Sequence, residues 1–290
     1  MARIRATDVV ITGAAALAVA PGAAIAPARW ADKPARLPRM DRLCALALVA
    51  CDAALVDAAL SPGAPEWNGE RTAIVLGTAY GCHATNEDYY RGLLREGPAG
   101  ASPRLFAYTL PSSPVGEISI HYGVRGPTLV LANGLVSSVD ALAEGVALVA
   151  EGRADRALVC AAEVATPLLA KLVGDSIVDA AAALVVERAA DAGARGATPR
   201  GRLLAAASSF AAGARDQAVH AAIERALADA DVTERAVRRV VDGSDAPGAL
   251  GAATLVSLAR WLAAGEHDAL ALVCASDEAG AGSAAVVVAS

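Results

Sequence analysis

Aromatic residues are scarce in this chain of 290 residues, where Phe, Trp and Tyr together make up 3%. Apolar residues nevertheless account for 55% and the mean hydropathy is +0.43, so the core must be built from Ala, Val and Leu. Small side chains suit close packing of helices on a sheet, and a chain of this length and apolarity is not disordered. The surplus of apolar surface indicates that part of it is buried against another subunit.

Positive charge and regularly spaced cysteines are lacking as well. The formal net charge is -6 and the pI is near 5.3, and no run of Lys or Arg offsets them, which argues against nucleic-acid binding. The five cysteines are an odd number without Cys-x-x-Cys spacing, so they predict neither a disulfide framework nor a zinc site. We therefore expect no metal site and a cytoplasmic protein.

One uncharged run, Val9 to Ala28, imitates a signal peptide or a membrane span. Gly13 interrupts this run, Pro21 and Pro27 break it, and Ala and Gly supply most of its bulk, so it would insert poorly into a bilayer. We interpret residues 8–13 as a buried strand followed by a loop, and we expect no membrane insertion.

Strand-like apolar runs alternate with helical Ala/Leu patterns, which is typical of an α/β protein with helices covering a buried sheet. The predicted strands are Val9–Thr12, Thr72–Leu76, Thr128–Leu131, Ala157–Ala161, Ala182–Val186, Leu203–Ala207, Arg239–Val241, Ala269–Cys274 and Ala284–Val288. The predicted helices are Met40–Leu60, Val136–Glu151, Asp216–Ala230 and Ala252–Ala264. A segment rich in Ala, Gly, Arg and Asp, Arg188 to Arg202, indicates a linker between a first domain of residues 1–195 and a shorter second domain of residues 196–290.

Several short motifs follow one another in a fixed order along most of the chain. They are Val9–Gly13, Met40–Leu43, Ala45–Leu55, Ile74–Gly81, Leu110–Ile118, Gly123–Pro127, Gly152–Val159, Ala182–Glu187, Ala222–Ala230 and Gly251–Ala253. In this order they resemble the β-ketoacyl-acyl-carrier-protein synthases. The resemblance implies a thiolase-like, duplicated α/β/α/β/α sandwich with a shortened second half, which dimerises through its first half.

The chemistry of that family needs a nucleophilic cysteine and two histidines, and the resemblance places other residues at all three positions. Leu135 stands at the cysteine position, Asp242 at the histidine of a His-Gly-Thr motif, and Gly248 at the second histidine. A leucine cannot be acylated, and a carboxylate would oppose a developing enolate. The family's chains are also longer, and the missing segments fall after Glu163, Phe210 and Ser244.

Other candidate nucleophiles near these positions are interpreted as structural. Ser137 and Ser138 follow the turn without a histidine placed by sequence to deprotonate them, so we expect helix-capping or small interface residues. Cys82 and His83 are adjacent, but sequence neighbours rarely form a nucleophile and base pair, so we expect a loop at a subunit boundary.

In the family, the strand after Gly-Pro pairs with its counterpart across a two-fold axis. Here this strand is wholly apolar after Thr128, and an uncovered edge of this kind invites aggregation. The small residues that follow it would permit close approach of a second subunit. The predicted interface residues are Thr128, Leu129, Val130, Leu131, Ser137 and Ser138.

From the resemblance we expect a non-catalytic, chain-length-factor-like subunit without a cofactor. It would form a homodimer or a heterodimer with an active ketosynthase in polyketide, polyene or fatty acid biosynthesis, with acyl carrier protein as a further candidate partner. Two alternatives stay open. One is an active 3-oxoacyl-acyl-carrier-protein synthase or acyltransferase with an unorthodox nucleophile, and the other is a homodimeric acyl-binding module.

Overall fold

The computed structural model describes residues 8–25, 40–174, 176–266 and 268–290. Within these ranges the chain forms nine strands and nine α-helices. The strands are β1 (Val9–Val19), β2 (Thr72–Gly77), β3 (Thr128–Leu131), β4 (Arg156–Glu163), β5 (Asp179–Arg188), β6 (Gly201–Phe210), β7 (Arg239–Val241), β8 (Leu270–Ser276) and β9 (Ala281–Ala289). The helices are α1 (Arg42–Asp57), α2 (His83–Glu96), α3 (Pro103–Phe106), α4 (Ser113–Tyr122), α5 (Ser137–Ala150), α6 (Pro167–Val173), α7 (Ala189–Ala194), α8 (Arg215–Ala230) and α9 (Ala253–Ala264).

The strands follow the order β3-β2-β4-β5-β1-β6-β9-β8-β7, and a single residue pair, Ile11 with Gly201, joins β1 to β6. This weak junction separates a first sheet of five strands from a second sheet of four. Read outward from the junction, β1-β5-β4-β2 and β6-β9-β8-β7 show the same sequence of parallel and antiparallel pairs. Among the described residues, the second sheet therefore repeats the first without a counterpart of β3.

Alternating side chains of each sheet enter different apolar clusters, as the two-residue repeat of a strand requires. In β2, Ile74 faces a cluster shared with α1 and α4, while Val75 faces a cluster shared with α5 and α9. In β8, Val273 joins that same central cluster, and Leu272 joins a third cluster with α8. The layers are therefore helix, sheet, helix, sheet and helix, so every strand except those at the edges is covered on both faces.

All nine predicted strands are present, but the first strand is longer than predicted. The loop expected after Gly13 is wrong, because β1 continues to Val19 and pairs with β5 from Arg188 to Asp179, apart from a bulge between Ile11 and Gly13. A side chain at Gly13 would overlap the carbonyl oxygen of Ala54 in α1. Glycine is therefore needed there for close helix packing, and it does not end the strand.

The segment expected to link the two halves, residues 188–202, connects β5 of the first sheet to β6 of the second sheet, and it has regular structure. Helix α7 and the start of β6 occupy it, and its charged residues make ion pairs with the first half of the chain. Arg195 binds Glu187 at 2.5 Å, and Arg200 binds Asp57. The division of the chain at residue 195 stays a prediction. Among the residues described, no helix is both long and apolar enough to cross a membrane.

Candidate functional site

The turn between β3 and α5 is a tight 3₁₀ turn, Gly134–Val136, and it carries Leu135 as a partly buried side chain. Gly134 has a φ of 69°, and a side chain there would collide with the carboxylate of Asp277. The Ser137 hydroxyl accepts a hydrogen bond from the Asn133 N–H at 2.8 Å and donates to the Gly134 carbonyl at 2.6 Å. Ser137 therefore closes the turn and is not positioned as a nucleophile.

The equivalent turn of the second half, Leu250–Ala252, precedes α9 and contacts the turn that carries Leu135. Two residues before it, Gly248 has a φ of 77°, and its carbonyl accepts from the Val178 N–H at 3.1 Å. A side chain at Gly248 would overlap the Ser176 carbonyl oxygen. The backbone of residues 176–178 therefore leaves no room for a side chain at this position.

Asp242 follows β7 directly, at the outer edge of the second sheet, and it is exposed, while the next residue, Gly243, packs against Ala253 at the start of α9. Its Oδ1 accepts from the Ser244 N–H at 3.0 Å. Hydrogen bonds from the Ser244 side chain and backbone hold the pKa of Asp242 below its usual range. At neutral pH the residue is therefore a carboxylate, which cannot donate a hydrogen bond to an oxyanion.

Glu163, at the end of β4, was missed by the sequence analysis, although it is a lone charged residue at the end of an apolar run. It is fully buried and accepts hydrogen bonds from the backbone N–H groups of Ala79 and Tyr80 and from the Thr78 hydroxyl at 3.3 Å. A side chain at Gly251 would approach the Glu163 Oε1 to 2.6 Å. Glu163 thus joins the segment after β2 to the second-half turn, and its burial raises its pKa to about 8.

A cleft of about 710 Å³ opens beside the Leu135 turn, between α5 and the ends of β6 and β9. Two carboxylates line it. Asp140 accepts from the Ser283 hydroxyl at 2.5 Å and from the Asn133 side-chain amide at 3.0 Å, and Asp277 accepts from the Ala281 N–H at 3.0 Å. Within the described part of the chain, no Lys or Arg lines this cleft, so its potential disfavours an anionic ligand.

Cys82 and His83 do not form a nucleophile and base pair. The Cys82 thiol donates to the Leu110 carbonyl at 3.1 Å, and burial raises its pKa to about 12. The His83 Nε2 lies 3.1 Å from the Thr166 hydroxyl, and burial lowers its pKa. The expected loop is instead the first turn of α2, which begins at His83. No cluster of three or more potential metal ligands occurs among the residues that the structure describes.

The predicted interface residues divide into two groups. Thr128 is exposed and the next three residues of β3 are half-buried, and β3 is an edge strand that pairs only with β2 in the described structure. Ser137 and Ser138, in contrast, are completely buried within the chain. These two serines present no surface to a second subunit, so their expected contact with a partner is wrong, whereas the contact through β3 stays a prediction.

Comparison with known families gives one match over most of the chain. The model of the β-ketoacyl synthase N-terminal domain matches residues 16–199. The ketoacyl synthase alpha subunit of the tetracenomycin polyketide synthase of Streptomyces glaucescens is 36% identical over 129 residues. That alignment covers 42% of this chain and 29% of the relative, so the chain spans less than a third of the relative's length.

Solved structures are similar over nearly the whole chain. The ishigamide ketosynthase/chain length factor has a TM-score of 0.82 and 24% identity, and the match covers 97% of this chain and 99% of that chain. A type II polyketide synthase acyl-carrier protein in complex with its ketosynthase gives a TM-score of 0.79 at 18% identity, over 98% and 99% of the two chains. These likenesses confirm the predicted thiolase-like sandwich.

Proposed function

Because this chain belongs to the β-ketoacyl synthase family, we propose that it is a non-condensing, chain-length-factor-like subunit that pairs with an active ketosynthase in the synthesis of a polyketide, polyene or fatty acyl chain. Leu135 carries this proposal. The turn that precedes α5 places a residue at a helix N-terminus, where a cysteine would have its thiolate stabilised. Leucine has no nucleophilic atom, so the first step of condensation, acylation of the enzyme, has no acceptor there.

The other two positions support the same proposal. Decarboxylation of a malonyl thioester needs hydrogen-bond donors for the enolate oxygen that develops. Gly248 has no side chain and lies against the Ser176 carbonyl, and Asp242 is an exposed carboxylate. The cleft beside the turn adds the charges of Asp140 and Asp277, which repel the free carboxylate of a malonyl group.

The partner is proposed from the open edge of β3. Its backbone groups on the side away from β2 make no strand pairing in the described structure, and its side chains are apolar after Thr128. A strand of a second subunit would satisfy those groups and bury the side chains, which removes an edge prone to aggregation. A ketosynthase of the same fold is the partner that we infer, and acyl carrier protein is a further candidate partner. All five cysteines are free thiols, which is typical of a cytoplasmic location.

The catalytic part of the proposal is tested on the purified full chain incubated with malonyl-charged acyl carrier protein. We expect no carbon dioxide release above a heat-inactivated sample and no mass increase of the intact protein. A covalent acyl adduct on any side chain would contradict the proposal and would support an active enzyme with an unorthodox nucleophile.

The partnership is tested by co-expression with an active ketosynthase from the same organism, followed by native mass spectrometry. We expect a one-to-one complex that condenses malonyl units, and we expect the complex to stay active when Leu135 of this chain is changed to Ala. A stable homodimer that binds acyl groups and forms no complex with the ketosynthase would contradict the proposed heterodimer and would support an acyl-binding module.

A further inference from the structure

A second cleft, of about 350 Å³, lies where β2 and β4 begin, at the opposite end of these parallel strands from the Leu135 turn. Arginines and carboxylates from separate segments of the chain line it. The arginines are Arg71, Arg156 and Arg195, and the carboxylates are Glu66, Asp155 and Asp191. None of its lining residues belongs to the cleft beside the Leu135 turn.

In two of the three arginines, Arg71 and Arg195, each guanidinium nitrogen donates to at least one acceptor. The Arg71 Nη2 binds Asp155 at 2.9 Å and the Gly152 carbonyl at 2.8 Å. Arg195 binds both oxygens of the buried Glu187, at 2.5 and 3.3 Å, and donates to the Ala58 carbonyl at 2.6 Å. These guanidinium groups are used to hold the ends of the strands together.

Arg156 differs from the other two. Its side chain is 8% exposed, and its guanidinium lies 5.6 Å from the centre of the Trp67 ring. Nη1 donates to the Glu66 carbonyl at 2.9 Å, but Nη2 is 3.9 Å from Glu187, and Nε has no acceptor among the described residues. The Oε1 of Glu187 accepts from Arg195 and from the Thr12 hydroxyl, both at 2.5 Å, and these contacts fix the position of the carboxylate.

Arg156 is thus a buried cation with one close acceptor, the Glu66 carbonyl, and an anion that supplies further oxygen atoms would offset the cost of burying its charge. We propose that the cleft around Arg156 binds a small oxyanion, a carboxylate or a phosphate, whose oxygens accept from the guanidinium. A guanidinium N–H forms a strong, charge-assisted hydrogen bond with such an oxygen, here from Nη2 because Nε is enclosed by protein atoms, and the cleft volume is that of a small-molecule site. The carboxylates of Glu66, Asp155 and Asp191 also line the cleft, and they restrict the ligand to a small anion of low charge.

Two exposed alanines of α7 provide matched variants that leave Arg156 in place. Ala194 lines the cleft, whereas Ala190 does not. Ala194→Glu therefore adds a negative charge at the cleft, and Ala190→Glu adds the same charge elsewhere on the same helix. Thermal unfolding of the full chain is measured with 10 mM inorganic phosphate, 10 mM acetate, or sodium chloride of equal ionic strength.

For the wild type and Ala190→Glu we expect at least one of the two anions to raise Tm by about 2 °C or more over the chloride sample. Ala194→Glu should lose that rise, and calorimetric titration should show a matching loss of affinity. A response to phosphate alone or to acetate alone supports the site and defines the class of oxyanion. No rise with either anion, or an equal rise in both variants, would overturn the proposal.

Discussion

The buried Glu163 makes stability depend on pH in a direction opposite to that of most carboxylates. Burial raises its pKa in the folded chain from 4.5 to about 8. Between these two values the folded state binds a proton that the unfolded state has released. The contribution of Glu163 to the free energy of unfolding is therefore fully present below pH 4.5 and is lost as the pH rises through 8. At about 1.36 kcal/mol per pH unit, the loss over this interval is at most about 5 kcal/mol.

Glu163→Gln keeps an oxygen that can accept from the Ala79 and Tyr80 N–H groups and removes the titration. We expect the free energy of unfolding of the wild type, measured by urea denaturation, to fall between pH 5 and pH 9. The free energy of unfolding of the Gln variant should fall less over the same range, so the difference between the two proteins should grow with pH.

Comparing the two proteins cancels the contributions of other titrating groups. Glu151→Gln, at an exposed position after α5, is the matched control and should follow the wild type. Parallel curves for the wild type and Glu163→Gln across this range would refute the reasoning, because they would mean that Glu163 has the same affinity for protons in both states.

Three further variants test the interface and the two turns. Leu129→Lys places a charge on the open edge strand, so we expect a monomer at micromolar concentration by light scattering; an unchanged dimer would show that β3 is not the contact. Leu135→Cys should not restore condensation, because Gly248 still supplies no hydrogen-bond donor; product formation by this single variant would contradict that assignment. Gly248→Ala should lower the free energy of unfolding, measured by urea denaturation, by more than about 2 kcal/mol, because the added Cβ overlaps the Ser176 carbonyl. The control Gly265→Ala, which has a similar φ and open space around it, should lower it by about 1 kcal/mol. An equal loss of stability in the two variants would show that the Ser176 carbonyl does not exclude a side chain at position 248.

Most strands could be predicted from the sequence because they are short apolar runs, and burial on both faces leaves few polar residues within the inner strands. Helix α2 could not, because only Thr85 of its residues is buried, so no apolar stripe marks the helical period. The end of β1 was missed for a related reason. Glycine is typical of turns, but Gly13 lies within the strand and allows α1 to pack closely against it.

The candidate site could be predicted only in part. The Leu135 turn was found from its neighbouring motifs, and the contact between this turn and the turn after Gly248 requires the fold. The cleft around Arg156 could not be predicted from a sequence motif, because its residues come from three segments that are far apart in the sequence. The burial of Ser137 and Ser138 was also missed, since small polar residues fit a core or a surface equally well.

The absence of a β3 counterpart in the second sheet limits how large an assembly this chain can form. A duplicated molecule with two equivalent open edges could join head to tail, and such contacts produce open filaments when the rotation does not close. Here the second sheet ends in β7, which has three residues and begins with the exposed Arg239, a poor template for another strand. Among the described residues, strand pairing is then available at one end of the molecule alone, so the association proposed through β3 would stop at a closed pair.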